Sequence, residues 1–108
     1  MEPLSPAVAR FAEMYLYSLE DLKVLILLVE ERERWHDVAS VARKLDIPRD
    51  MARATIDHLT RSNLLDIRIT DDVRYRFRPG TSELERHAVA AVDAYRRTPA
   101  RILQLIGA

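Results

Sequence analysis

The sequence predicts a mainly α-helical chain with one small β-hairpin, an α+β fold, on three observations. Only 2 Gly and 5 Pro stand among 108 residues, so few positions stop a helix. Apolar residues recur every three or four positions through most of the chain. Over Leu65–Thr70 and again over Val73–Arg78 the period changes to alternation, the spacing of half-buried strands. An apolar share of 48% beside 31% charged residues suits one soluble domain with a real core.

The elements follow from local chemistry. Ser5 and Pro6 read as an N-cap and first helical residue, and Val8, Phe11, Tyr15 and Leu16 share one face of the helix they open. Ser18 caps a second helix expected to run to about Arg34, with Glu20 and Asp21 where its dipole favours anions. Leu22, Leu25, Ile26 and Val29 form a stripe on it, yet Val24, Leu27 and Leu28 lie off that stripe. A helix apolar nearly all round needs cover on several sides, and a second subunit is the expected source. Asp37 caps a short helix from Val38 to Leu45, Asp46-Ile47-Pro48 breaks it, and Pro48 or Arg49 starts a helix to about Ser62. Ala52, Ile56 and Leu59 are the inward face of this fourth helix, with Thr55 at its edge. Asn63 ends it, the strands Leu64–Ile69 and Val73–Arg78 follow, and Pro79-Gly80 stops the sheet. Ser82-Glu83-Leu84-Glu85 reads as a capping box opening a helix to about Arg97. Thr98-Pro99 caps and starts a last short helix carrying Ile102, Leu103, Leu105 and Ile106.

The absence of Cys excludes a disulfide framework, a thiol nucleophile, a cysteine zinc ribbon and an iron–sulfur sensor. The longest apolar run, Val24 to Val29, falls far short of the roughly 20 residues of a membrane span. The first twenty residues show no secretory pattern, so a cytoplasmic location is expected. His36, His58 and His87 share no ligand spacing, so no metal and no cofactor is expected. Without a Gly-rich phosphate loop or an ordered Ser/His/Asp set, an enzyme is not expected.

Net charge is zero but unevenly spread. Residues 1–42 carry 4 Lys/Arg against 8 Asp/Glu, whereas residues 43–78 carry 9 against 6. A basic middle suits a chain whose central motif alone meets an anion.

Helix, helix, turn, helix and hairpin is the order of a winged helix-turn-helix. Small Ala42 lets two helices cross closely, Leu45 and Ile47 plug the angle, and Ala52 and Ile56 meet them from the next helix. This run, continued through Leu59 and Asn63-Leu64-Leu65, resembles the MarR-like bacterial regulators across residues 38–78. Asp46 and Asn63 stand where that family prefers Gly, and both residue types tolerate positive φ. The resemblance implies one winged-helix domain over 1–108: an arm helix 6–17, a core 18–80 and dimerisation helices 81–108. It implies a transcriptional regulator acting as a homodimer on double-stranded DNA. Arg49, Asp50, Arg53 and Asp57 would meet base edges, and Lys44, Arg61, Arg68, Arg74 and Arg76 would meet the backbone. The expected dimer interface comprises Phe11, Tyr15, Leu27, Leu28, Leu84, Val92, Ile102 and Leu105.

The alternative is a protein–protein interaction module on the same scaffold, favoured by zero net charge and by carboxylates on the fourth helix. Phe11, Tyr15 and Tyr17 could line a pocket for an effector, which the sequence does not identify; packing is the plainer reading. Trp35 is expected to seal the core edge.

The hairpin permits the sharpest expectation. Leu65, Ile67, Ile69, Val73, Tyr75 and Phe77 share one face only if Ile69 pairs with Val73. That register leaves the loop Thr70-Asp71-Asp72, with an Asp expected in the left-handed conformation. It sets Asp66 opposite Arg76, an ion pair, and Arg68 opposite Arg74, a like-charge contact that a phosphate could relieve.

Overall fold

The computed structural model describes residues 4–106. The termini of the 1–108 domain assignment therefore lie outside the described residues. Its elements are α1 (Pro6–Tyr15), α2 (Leu19–Glu30), α3 (Val38–Leu45), α4 (Arg49–Arg61), β1 (Leu65–Ile69), β2 (Val73–Phe77), α5 (Ser82–Arg97) and α6 (Pro99–Leu105). The architecture is mainly helical with a two-stranded antiparallel sheet, as expected. No helix among the described residues is long and apolar enough to cross a membrane.

Three N-caps form as the sequence dictates. Ser5 Oγ accepts from Val8 N at 3.2 Å, Ser18 Oγ from Asp21 N at 3.2 Å, and Asp37 Oδ1 from Ser40 N at 2.7 Å. At α5 the cap moves one residue back. Thr81 is the extended residue and its Oγ1 accepts from Leu84 N at 3.1 Å, so Ser82 is already helical and no capping box forms. Thr98 does not cap α6 with its side chain, because its hydroxyl turns back to the Ala94 carbonyl, 3.2 Å away.

Helix α2 ends at Glu30, four residues before the expected stop. Glu30 to Arg34 offers no apolar side chain to hold another turn on the core, and Arg34 N closes a tight turn on Glu31 O at 2.9 Å. The all-round apolar character of α2 is satisfied within the chain. Helices α4 and α5 and strand β2 all pack on it. Leu22, Val24, Leu25 and Leu28 are all buried. Four residues expected at a dimer interface, Phe11, Leu28, Val92 and Ile102, lie buried in this same core and are not available to a partner. Tyr15, Leu27, Leu84 and Leu105 are half-buried and pack against it. The cover for α2 that a second subunit was expected to supply comes from α4, β2 and α5.

A buried carboxylate fastens α4 to the α1–α2 link. Asp21 Oδ2 accepts from Tyr17 N at 2.8 Å, and His58 Nε2 lies 3.7 Å from the same oxygen. His58 Nε2 is also 2.7 Å from the Tyr15 carbonyl; since a carbonyl only accepts, this nitrogen carries a proton.

The hairpin register is Leu65↔Phe77, Asp66↔Arg76, Ile67↔Tyr75, Arg68↔Arg74 and Ile69↔Val73, matching the expected pairing. Each strand is one residue shorter than expected: Leu64 N turns to the Leu59 carbonyl, and Arg78 N to the Leu64 carbonyl. No Asp of the loop is left-handed. Thr70 N bonds Asp72 O at 3.0 Å and the Asp72 carboxylate takes Arg74 Nε at 2.9 Å, which holds the loop without positive φ. The positive-φ non-glycine residues described are Asp46 (53°) and Asn63 (65°), the two positions expected to tolerate it. Gly80 N bonds the Asn63 carbonyl at 3.0 Å, and a Cβ at Gly80 would collide with the Asn63 side chain.

Candidate nucleic-acid interface

The α3–α4 corner is set by Asp46. In the left-handed conformation its N–H reaches back to Arg43 O at 3.3 Å, and Ile47 N to Ala42 O at 3.0 Å. Pro48, extended, then launches α4. Ala42, Ala52, Ile56 and Leu59 are buried between and beneath these helices, with Thr55, expected at the edge, also buried. With that face committed to packing, α4 turns Arg49, Asp50, Met51, Arg53, Ala54 and Arg61 outward, with Asp57 half-buried.

These residues fall on two parts of the helix. Arg49 and Arg53, one turn apart, line a groove of about 300 Å³ with Asp37, Val38 and Ala39 of the α3 start and Asp72, Val73 and Tyr75 of the hairpin. Asp50, Asp57 and Arg61 share another face by their seven- and four-residue spacing. Arg43, Arg49, Arg53 and Arg61 enter no ion pair or ring contact found among the described residues. Their charge is unspent.

The residues expected on the DNA backbone are differently placed. Lys44 Nζ is 2.9 Å from Glu31 Oε1. Arg74 is held by Asp72, and Arg76 Nη2 is 3.7 Å from Asp66, the expected cross-strand pair. Arg68 and Arg74 stand opposite each other in the register as expected, but each already has an intramolecular partner. The Arg68 guanidinium lies 4.6 Å from the centre of the Trp35 ring, and that of Arg76 lies 4.5 Å from the same ring. Trp35 was expected to seal the core edge, yet it is not among the side chains packed against the core; half-buried, it gives two hairpin cations an aromatic surface. Of the five expected backbone residues, Arg61 alone has no intramolecular partner among the described residues.

Next to Trp35, His36 joins the sheet through a single residue. Its N–H and carbonyl exchange 2.8 Å hydrogen bonds with Tyr75, closing the free edge of β2. The sequence carries no sign of this bridge, since one residue has no period. The His36 ring is buried, and Nε2, 3.8 Å from Glu31 Oε1, has no hydrogen-bond partner. Burial, then the nearby Lys44 charge, holds its pKa below the ordinary 6.5, against the opposing pull of Glu31. The folded chain thus binds a proton at His36 less readily than the unfolded chain. The stability this contributes is complete above about pH 6.5 and is lost as pH falls toward the lower folded value. Urea denaturation between pH 7.5 and 5 should show this decline, and His36→Gln should flatten it. An unchanged slope in the variant would assign the effect to other groups.

Among the described residues no three His, Asp or Glu side chains gather where they could hold a metal ion. No protein-family model, curated protein or solved structure matches the chain.

Proposed function

We propose that the chain is a winged helix-turn-helix protein of MarR-like type that binds double-stranded DNA as a homodimer and regulates transcription in the cytoplasm. The observation that carries this reading is the surface of α4. Arg49, Arg53 and Arg61 are exposed without an intramolecular partner among the described residues, on a helix anchored by its opposite face, while the hairpin arginines are occupied. Free guanidinium groups on the solvent side of a helix suit the acceptors of a major groove and its phosphates. Arg49, Asp50, Arg53 and Asp57 remain the base-edge set. Backbone contact shifts to Arg61 and to Arg43, which the sequence reading passed over.

A second reading, a protein-binding module, is favoured by the far end of the hairpin, where Ile67, Ile69 and Val73 are 42%, 71% and 39% exposed beside Asp71 and Asp72. Fluorescence anisotropy with a labelled random-sequence duplex separates the two. A DNA-binding protein should bind at 50 mM salt and lose affinity with a log–log slope of about −0.9 per phosphate neutralised. No binding at tens of micromolar protein would leave the module reading in place.

A further inference from the structure

The β1 edge is a self-complementary surface, and we infer that it joins a second copy of this chain by antiparallel pairing centred on Ile67. The sheet has two edges. His36 closes the β2 edge, while no strand pairs with the outer edge of β1 among the described residues. Bonds between Arg78 and Leu64 and between Thr70 and Asp72 show that even-numbered residues of β1 turn their backbone groups toward β2. By alternation Leu65, Ile67 and Ile69 direct N–H and C=O to the open edge. Such an edge, carrying exposed Ile67 and Ile69, is a template for another strand.

Charge selects both the occupant and the register. With the two-fold axis at Ile67, Ile67 faces Ile67 of the second copy and Leu65 faces its Ile69, all on the apolar face. On the other face Asp66 lies opposite Arg68 of the second copy, and Arg68 opposite its Asp66. An axis at Asp66 would oppose two carboxylates, and an axis at Arg68 two guanidinium groups. The parity agrees as well, because Ile67 presents the backbone groups that an axis through it requires. In the single chain the Ile67 N–H is closed by the Asp66 carboxylate at 3.0 Å. Pairing exchanges that bond for a carbonyl of the second copy and frees Asp66 Oδ1 to meet Arg68 of that copy, while Oδ2 stays near Arg76 at 3.7 Å and Arg78 at 4.0 Å. This interface is separate from the α4 surface, so it holds whether or not the chain binds DNA.

The absence of Cys makes the test clean. Ile67→Cys should form a disulfide-linked dimer under mild oxidation, because facing Cα atoms of a hydrogen-bonded pair are about 5.5 Å apart. Ile69→Cys should not, since it faces Leu65. Sedimentation of the wild type should show a dimer that Arg68→Glu dissociates and Asp66→Lys with Arg68→Glu restores. A wild-type monomer at 100 µM overturns the inference. So does a dimer that survives Ile67→Arg, or cross-linking of both cysteine variants alike.

Discussion

Replacing Arg53 with alanine should weaken binding to a preferred duplex, selected from a random pool, by about 1–3 kcal/mol while changing random-duplex binding little. The asymmetry follows from position. Arg53 stands one turn inside α4, beside Arg49 in the groove that α4 shares with the hairpin, and no carboxylate of the chain competes for it within ion-pairing distance among the described residues. Arg61→Ala, at the last turn, should instead weaken every sequence alike and reduce the salt slope by about one unit. Anisotropy on both duplexes at several salt concentrations measures the two effects. Equal losses for Arg53→Ala on selected and random DNA would remove it from the base edges and make it a phosphate contact.

Leu28→Ala should cost about 2–5 kcal/mol in urea denaturation, the range for deleting a fully buried leucine side chain. Leu28→Asp should leave the chain unfolded, because a carboxylate there has neither water nor a cation. Leu27→Asp, half-buried, should remain folded and monodisperse. The contrast decides how α2 is covered. A folded Leu28→Asp monomer would show that Leu28 faces a partner and that the intramolecular packing is wrong.

The same helix marks a boundary of what the amino-acid order reveals. That α2 must be covered on several sides was legible in its composition; that α4, β2 and α5 supply the cover was not, because a helix's own pattern does not name its neighbours. Local signals fared differently. The side-chain caps at Ser5, Ser18 and Asp37 and the hairpin register depend on short-range spacing, and each formed as expected. The candidate site divides in the same way. The exposure of Arg49, Asp50 and Arg53 follows from the inward set Ala52, Ile56 and Leu59 on one helix. The fate of Arg68 depended on Trp35, 33 positions earlier, brought in by a bridge at His36 that has no periodic signature.

Trp35 has a consequence of another kind. It is the chain's only tryptophan, so its fluorescence comes from one indole in one environment, next to two guanidinium groups of the hairpin. Whatever draws Arg68 or Arg76 away changes the polarity and charge around that indole. Emission wavelength and intensity thereby report the seating of the hairpin on the body, with no attached dye. Engagement of β1 by a second strand, which recruits Arg68, should register in this optical signal.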